Sequence, residues 1–402
     1  MAYDLTSQKF LRDPRPTITA MQADAPVVQV KLPLIGKLWM TTTDAGARMV
    51  LKDTARFVRD SGPITGKSMK QRFWYLPRFL SPIFENLVNA DGARHKRLRG
   101  LVDQAFARTS ITDLRPEMAA LADTLIDAMP HDRPVDIASS FARPLPTQAI
   151  CSLLGVPASD RAHVNRITSS FSEVTGTFGM IKAVPGLWRT MRYFRSEFTR
   201  VRAAPGDGLI TQLVQANDAG DSFNDDELLA MAVALFLAGS ETTAHLITTC
   251  VHTALTMPEA CRIITDQPEA LPLLIEEVMR FYAPVFMTQP LFVAADTELD
   301  GVALRKGDQI APLLIAANHD PIRFDDAGTL IPNRRPNAHL GFGTGPHVCL
   351  GMQLARAEVE VALTQLFARY PDMKQASPDV KPVYARRIGV HGLARLDVVL
   401  AP

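Results

Sequence analysis

The chain has 402 residues, of which 47% are hydrophobic and 21% are charged, as in soluble globular enzymes and unlike a disordered chain. Lysine and arginine together number 43 against 42 acidic residues, so the net charge gives no general affinity for nucleic acid or anionic membranes. The four cysteines form no CxxC or CxxCH motif, which argues against zinc ribbons, thioredoxin-like redox pairs and covalent c-type haem attachment.

Residues 1–16 mix acidic, basic and polar side chains without an apolar stretch, which predicts neither a signal peptide nor a membrane anchor. The longest apolar run, residues 228–239, is shorter than the ~20 residues that cross a bilayer. We therefore expect a cytoplasmic protein without a membrane anchor.

The predicted elements begin with a small sheet and continue into a long helical region. Residues 26–44 alternate apolar and polar side chains around a turn, which predicts a β-hairpin. Helical periodicity dominates from about residue 45 to 282, where prolines divide it into segments of modest length. Further short strands are predicted at 291–293, 297–299, 309–315 and 381–400, and a last long helix at 349–370. The pattern predicts a single mainly α domain, residues 1–402, with small β-sheets.

One predicted helix is much longer than the others. Asn224, followed three residues later by Glu227, has the pattern of a helix N-cap with its capping-box partner, just before an apolar run. No helix-breaking residue follows until Pro258, so the helix spans roughly 50 Å at ~1.5 Å per residue. Because most of its faces are apolar, we expect other helices to surround it.

The most specific motif is the segment 342–351, which reads FGTGPHVCLG. Its glycines allow a tight turn that directs backbone amides at the sulfur of Cys349, and a helix is predicted to follow. Amide groups and a helix N-terminus both stabilise a thiolate. Gly351 carries no side chain where a flat macrocycle would lie against the backbone. The alternative is a glycine-rich turn around a buried free cysteine.

A second motif interrupts the apolar centre of the long helix. Residues 238–243 read AGSETT, and a glycine within a helix costs about 1 kcal/mol relative to alanine. A Ser or Thr hydroxyl that bonds the carbonyl four residues back bends a helix. The alternative is a kink that serves only the packing of neighbouring helices.

Two further patterns place charged side chains at helical spacing. Glu277 and Arg280 lie at i and i+3, on one face of a helix predicted over 273–282. By itself such a pair is usually a surface salt bridge of little energetic value. His95 and Arg99 lie at i and i+4 in the basic stretch RHKRLR, which taken alone is equally well a solvated helix face.

All four motifs, in this order and over nearly the whole chain, resemble those of the cytochrome P450 family. The resemblance implies the P450 fold, in which a long central helix lies over a buried haem b. It implies that Cys349 is the axial ligand of the haem iron, where a thiolate favours cleavage of the O–O bond. By the same resemblance Phe342 packs beside the sulfur, His347 bonds a haem propionate, and Gly343 and Gly351 line the cofactor.

The resemblance also gives the motif in the long helix a role. Ala238 and Gly239 would lie on the oxygen-binding side of the haem, where a kink in the helix opens a groove. Glu241 and Thr242 match the acid–alcohol pair that delivers protons in a site closed to bulk water.

The charged patterns match two other parts of the family. Glu277 and Arg280 match a buried Glu-x-x-Arg motif, and Arg334 matches the third member of its ion network, whose role is structural. His95 and Arg99 match residues that hold a haem propionate through charge-assisted hydrogen bonds.

One position departs from the family pattern. Most members have an arginine to a haem propionate shortly before an acidic residue such as Asp296, but this chain reads Pro290-Leu291-Phe292. With Leu291 in place of that arginine, one propionate is expected to have one cationic partner fewer.

The predicted substrate pocket is almost entirely apolar, which favours a small lipophilic substrate such as a terpenoid, a steroid or an aromatic compound. Its predicted lining residues are Trp74, Ile83, Phe84, Leu87, Ala234, Leu237, Met287 and Val390.

The family resemblance implies a monooxygenase that inserts one oxygen atom from dioxygen into its substrate. The alternative is a peroxide-using or otherwise atypical haem-thiolate enzyme, or a haem-based sensor. A peroxide-using enzyme commonly lacks the acid–alcohol pair, and a sensor does not need it and would normally carry an output domain. No flavin motif fits into this length, so electrons are expected from a separate ferredoxin-type donor with its reductase. Arg94, Lys96 and Arg97 are predicted to form a solvent-facing basic patch for an acidic donor.

Overall fold

The computed structural model describes residues 3–33, 35–66, 71, 77–107, 111–168, 176–218 and 224–400. Its helices, numbered along the chain, are α1 (Gln8–Arg12), α2 (Arg15–Asp24), α3 (Asp44–Lys52), α4 (Gly62–Thr65), α5 (Gly92–Ala107), α6 (Ile111–Asp127), α7 (Pro144–Leu154), α8 (Ala158–Thr168), α9 (Gly176–Ala203), α10 (Leu209–Asp218), α11 (Asp225–Thr256), α12 (Pro258–Asp266), α13 (Leu271–Tyr282), α14 (Leu314–Asn318) and α15 (Met352–Arg369). Short 3-10 segments are found at Arg78–Glu85, Leu87–Asn89, Pro268–Ala270 and Gly345–His347, and a π-helical turn at Ala138–Ala142.

The strands are short and form three small sheets. They are β1 (Val27–Leu32), β2 (Gly36–Thr41), β3 (Phe57–Val58), β4 (Val135–Asp136), β5 (Leu291–Val293), β6 (Thr297–Leu299), β7 (Val302–Leu304), β8 (Gln309–Pro312), β9 (Lys374–Gln375) and β10 (Asp397–Val399). The largest sheet has the order β1-β2-β8-β5-β3, a second has the order β4-β10-β9, and β6 pairs with β7. The prediction of a mainly α fold with small sheets is confirmed.

The predicted hairpin forms the edge of the largest sheet. β1 and β2 pair antiparallel, with Val27 opposite Thr41 and Leu32 opposite Gly36. From Val28 onwards the side chains of β1 alternate between buried and exposed, so that one face of the hairpin packs on the core. β2 then pairs with β8 in parallel, which joins this N-terminal sheet to the C-terminal half of the chain.

Helix α11 is the central helix of the fold. The side chain of Asn224 accepts a hydrogen bond from the amide of Glu227, whose own side chain accepts one from the amide of Asn224, which confirms the predicted capping box. The helix runs for 32 residues and packs against α7, α9, α13 and α15. It is the one described helix long and apolar enough to cross a membrane, and most of its residues are buried among those neighbours.

Two predicted strand segments are shorter than expected. β8 ends at Pro312, because the chain turns into α14, whose Leu314 and Ala317 pack against α3 in a small apolar cluster. Within 381–400 only β10 forms a ladder. The rest of that segment is attached by single bridges and by bonds to residues 284–286, such as Phe286 N–H to the carbonyl of Gly389 at 3.0 Å.

A buried ion network anchors the long segment between β8 and α15. Glu277 and Arg280 are both 0% exposed, which excludes the surface salt bridge. Arg280 donates to both carboxylate oxygens of Glu277 at 2.7 and 2.8 Å. Arg334 donates to the same carboxylate at 3.1 Å, and Asn337 donates to it at 3.1 Å. The guanidinium of Arg280 also donates to three carbonyls of the segment, those of Asn318, Ala327 and Thr329.

Removing one partner from this network leaves a buried charge uncompensated, so we expect Arg280→Ala to lower the free energy of unfolding by about 3–5 kcal/mol. Urea unfolding followed by circular dichroism measures this loss. The control is Arg369→Ala, which breaks the exposed 2.8 Å pair with Asp127 and should lower the free energy of unfolding far less, because exposed ion pairs contribute little. Equal losses in the two variants would contradict a structural role for the buried network.

Candidate functional site

The cysteine loop folds as a tight turn that closes on itself. Gly343 and Gly345 have φ angles of 69° and 75°, in the left-handed region that favours glycine. The turn closes through a 2.9 Å hydrogen bond from the amide of Cys349 to the carbonyl of Phe342. The loop then passes into α15, whose N-cap is Gly351.

Cys349 is exposed, although many protein atoms surround it. Burial raises the pKa of its thiol, while the amide of Gly351 and the nearby guanidinium groups of Arg99 and Arg356 act in the opposite direction. Cys151 and Cys250 are fully buried, Cys261 is partly exposed, and burial raises the pKa of Cys151 to about 12. Among the four cysteines, Cys349 is therefore the most exposed.

A second ion pair, which no sequence pattern predicted, links α15 to α13 next to the cysteine loop. Arg356 of α15 donates to both carboxylate oxygens of Glu276 at 2.7 Å, and His339 lies 3.2 Å from the same carboxylate. Burial opposes ionisation of Glu276, but the bonds from Arg356 and His339 lower its pKa to about 2. The guanidinium of Arg356 also covers the ring of Phe342 at 4.8 Å, which fixes the start of the loop.

Cationic groups from three parts of the chain converge beside the loop. The rings of His95 and His347 lie 4.1 Å apart between centroids. Burial, together with the charges of Arg59, His95 and Arg99, lowers the pKa of His347 to about 3. The pKa of His95 is lowered by burial and then by Arg99 and Arg59. Arg99 donates to the carbonyl of Val348 at 2.8 Å, so it also holds the cysteine loop.

Two buried nitrogens of this cluster, Nε2 of His95 and Nε of Arg59, have no hydrogen-bond partner among the described residues. Buried donors of this kind are rare in folded proteins and indicate a place where an acceptor binds. The residues around Arg59 form no sequence pattern that predicts a binding role for it.

The central helix is accessible to solvent at the predicted AGSETT motif. Ala238 is exposed, although the helix is buried on both sides of this segment. The hydroxyl of Thr242 donates to the carbonyl of Ala238 at 2.8 Å, which is the predicted bond to the preceding turn. A Cβ atom on Gly239 would lie 3.1 Å from Cδ1 of Ile150 in α7, so close packing accounts for this glycine.

The carboxylate of Glu241 is bonded to Arg387, which lies in the C-terminal segment. His245, one turn further along the helix, lies 3.9 Å from the same carboxylate. Burial lowers the pKa of His245 to about 4, so it is neutral at pH 7 and forms no ion pair. Glu241 is thus held at the edge of the interior space by a cation that the sequence analysis did not predict.

A second carboxyl group, Glu358 of α15, lies under the central helix. It is 1% exposed, and burial raises its pKa well above the usual value, while the Thr243 hydroxyl acts weakly in the opposite direction. Burial therefore favours the neutral form of the Glu358 carboxyl group. Its i+9 distance from Cys349 gives no sequence pattern of its own.

The predicted basic patch requires a correction. Arg94 and Arg97 each donate to the carboxylate of Glu227 at 3.0 Å, because α5 crosses the N-terminus of the central helix. Their side chains remain 38% exposed. Lys96 faces solvent as expected. The surface carries less unpaired positive charge than the sequence indicated.

The predicted pocket residues occupy different environments. Trp74 lies outside the described residues, as do the side chains of Ile83 and Phe84. Ala234 and Leu237 are half-buried along the same segment of the central helix as Ala238.

The other three pocket residues are packed more closely. Leu87 belongs to the main core cluster. Met287 lies in the second core cluster and comes within 3.3 Å of a Cβ atom built on Gly389. Val390 forms a bridge with Val285. The role of these residues in substrate binding stays a prediction.

These groups together fit haem. An accessible thiol supported by an amide suits an axial sulfur ligand. The cluster of Arg59, His95, Arg99 and His347 suits the anionic edge of the macrocycle, since two of its buried nitrogens need an acceptor. A Cβ atom on Gly351 would meet no atom within 4 Å, so this position leaves room beside the sulfur.

Comparisons with known proteins point the same way. The family model described as Cytochrome P450 matches residues 202–385. Mycinamicin IV hydroxylase/epoxidase of Micromonospora griseorubida is 36% identical over 385 residues, which cover 94% of each chain. Vitamin D(3) 25-hydroxylase of Pseudonocardia autotrophica is 32% identical over 401 residues, covering 100% of this chain and 97% of that protein. A myxobacterial cytochrome P450 crystallised with myristic acid has a TM-score of 0.90 and 30% identity, with 99% of each chain covered.

The cysteine loop depends on a glycine at position 345, where a Cβ atom would lie 2.4 Å from the carbonyl oxygen of Leu51. We expect Gly345→Ala to lower the free energy of unfolding, measured in urea, by about 1–3 kcal/mol more than a matched glycine replacement. The matched variant is Gly301→Ala, because Gly301 has a similar φ of 81° but no atom within 4 Å of a Cβ. Identical losses would mean that backbone strain alone, rather than contact with α3, requires the glycine.

Proposed function

The chain belongs to the cytochrome P450 family of haem-thiolate monooxygenases, and we propose that Cys349 binds haem b through its thiolate so that the enzyme oxidises a small lipophilic substrate. The observation that carries this proposal is the accessible thiol at the end of a closed turn, bonded by the amide of Gly351. The alternative, a buried free cysteine in a glycine-rich turn, does not account for that accessibility.

Other residues of the chain hold the cofactor at its edge and beside the sulfur. His95, Arg99 and His347 provide donors for the propionates, and Phe342 packs beside the sulfur under the guanidinium of Arg356. Gly343 permits the turn. When bound, haem supplies the reduction of dioxygen and the cleavage of its O–O bond.

Proton delivery falls to the central helix. The Thr242 hydroxyl, bonded to the carbonyl of Ala238, sits on the face that opens to the interior and holds a proton there. Glu241 on the preceding residue supplies the carboxylate, which the guanidinium of Arg387 keeps in place. A hydroxyl and a carboxylate on adjacent residues of one helix are the groups that positioned proton transfer needs.

The substrate is proposed to be lipophilic, of terpenoid, steroid or aromatic type. Two observations support this class. The described lining of the central helix, Ala234, Leu237 and Ala238, carries no polar side chain. The relatives are named for reactions on mycinamicin IV and vitamin D(3), and a similar structure was solved with myristic acid.

Electrons are proposed to come from a ferredoxin-type protein with its reductase, in the cytoplasm. Docking would use Lys96 together with the exposed parts of Arg94 and Arg97, on the helix that also carries His95. Because Glu227 neutralises part of this charge, attraction for an acidic donor rests mainly on Lys96 and acts on the encounter rate.

The thiolate assignment is tested by Cys349→Ser. The reduced, carbon-monoxide-bound wild type should have the strongly red-shifted haem band of a thiolate ligand, and the variant should lose it, because a serine hydroxyl does not replace a thiolate. Absorption spectroscopy of the two proteins measures this. Cys261→Ser, at a partly exposed cysteine of α12, is the control and should keep the band. A red-shifted band that survives in Cys349→Ser would assign the ligand to another residue.

The proton-delivery assignment is tested by Thr242→Ala. We expect substrate binding and electron uptake to continue, while the yield of product per electron falls by at least about 10-fold and hydrogen peroxide rises. Thr256→Ala is the matched control, because its hydroxyl makes the same 2.8 Å bond to a carbonyl four residues back near the end of the same helix. Unchanged coupling in Thr242→Ala would remove the hydroxyl from the proton path.

A further inference from the structure

We propose that Arg59 binds a haem propionate and thereby supplies the cation that Leu291 fails to provide, an inference that rests on the proposed binding of haem at Cys349. The site is a carboxylate-binding position at the end of β3, which the sequence motifs did not include. Four observations carry the proposal.

The first is that position 291 carries no charge and no polar contact. Leu291 is 4% exposed and lies in an apolar cluster with Phe57, Val293 and Ile310. The arginine that the family usually has at this position is therefore replaced by a side chain committed to the core of the largest sheet.

The second is the strand register. β3 pairs antiparallel with β5, with Phe57 opposite Val293 and Val58 opposite Phe292. Continued by one residue, this register sets Arg59 opposite Leu291. The side chain of Arg59 thus extends from a backbone position directly across the sheet from position 291, where the family usually has its arginine.

The third is that Arg59 is buried and that its Nε has no hydrogen-bond partner in the part of the chain that the structure describes. The residue is 8% exposed. Burial lowers the pKa of its guanidinium to about 10, which still leaves it charged at neutral pH, and the nearby Asp91 acts in the opposite direction. One oxygen of Asp91 already accepts the backbone amides of Arg59 and Asp60, both at 2.7 Å. A buried charged donor without an acceptor is strongly destabilising, so this geometry calls for an anionic ligand.

The fourth is the set of neighbours that Arg59 faces. Its charge contributes to lowering the pKa of both His95 and His347, which places it within the cation cluster beside the cysteine loop. Arg99, the other arginine of this cluster, already pairs with Asp103 at 3.0 Å and with the carbonyl of Val348. The Nε of Arg59, which has no partner among the described residues, is therefore better placed than Arg99 to bind a carboxylate.

The test measures how fast the holoenzyme loses haem to an excess of a haem-scavenging apoprotein. Arg59→Gln removes the charge with little change in length, and we expect haem loss on the order of 10-fold faster than in the wild type. Arg305→Gln is the control and should leave the rate unchanged, because Arg305 pairs with Asp296 at an exposed site.

A variant that moves the positive charge from position 59 to position 291 distinguishes carboxylate binding by Arg59 from a purely structural role. In Arg59→Gln/Leu291→Arg the cation returns from β5, and haem retention should recover most of the loss. The same proteins loaded with the dimethyl ester of haem, which lacks propionate charge, should lose the cofactor at rates that no longer depend on residue 59.

The possible results either support or overturn the binding of a haem propionate by Arg59. Unchanged haem loss in Arg59→Gln, or the same sensitivity with the esterified cofactor, overturns the role of Arg59, and recovery in the double variant supports it. If Arg59→Gln fails to fold, a wild type that loses the esterified cofactor no faster than haem overturns the role, and a wild type that loses it faster supports it. A wild-type protein that takes up no haem, or gives no red-shifted band with carbon monoxide, would instead overturn the proposed function.

Discussion

The buried carboxylate of Glu277 is the constraint on which the rest of the site depends. It is fully enclosed, and two guanidinium groups, one amide side chain and one backbone amide donate to it. Through Arg280 and Arg334 this carboxylate fixes carbonyls between residues 318 and 329, in a stretch that has little regular structure of its own. A chain segment without helix or strand needs such anchors, because its backbone groups otherwise find no partners in the interior.

The neighbouring residue of the same helix extends this support to the cysteine loop. Glu276 pairs with Arg356 on α15, and the same guanidinium covers Phe342 where the loop begins. The two adjacent carboxylates of α13 therefore hold opposite ends of the segment that leads to Cys349. One side of the loop also rests on α3, where Gly345 approaches the carbonyl of Leu51 too closely for any side chain. The position of the thiol follows from these three supports together.

Basic and acidic side chains collect in different places. Arg59 and Arg99 lie near the cysteine loop with His95 and His347, whose pKa values are lowered. Carboxyl groups lie at the central helix: Glu241 is held by Arg387, and burial raises the pKa of Glu358 well above its usual value. This division suits a cofactor with an anionic edge beside the arginines and a reaction that takes up protons at the central helix.

The sequence by itself determined what depends on neighbouring residues: the capping box of the central helix, the glycine turn before Cys349 and the i, i+3 pair of Glu277 and Arg280. Only the tertiary structure decided which charges are buried and what they contact, because that depends on segments far apart in the chain. The tertiary structure buries the pair of Glu277 and Arg280 in an interior network, so that it is not a surface salt bridge. It also brings Arg94 and Arg97 into contact with the carboxylate of Glu227, which is far away in the sequence. Some side chains could not be predicted from local sequence patterns, because their surroundings also depend on distant segments. These are Arg59, Glu276, Glu358 and Arg387.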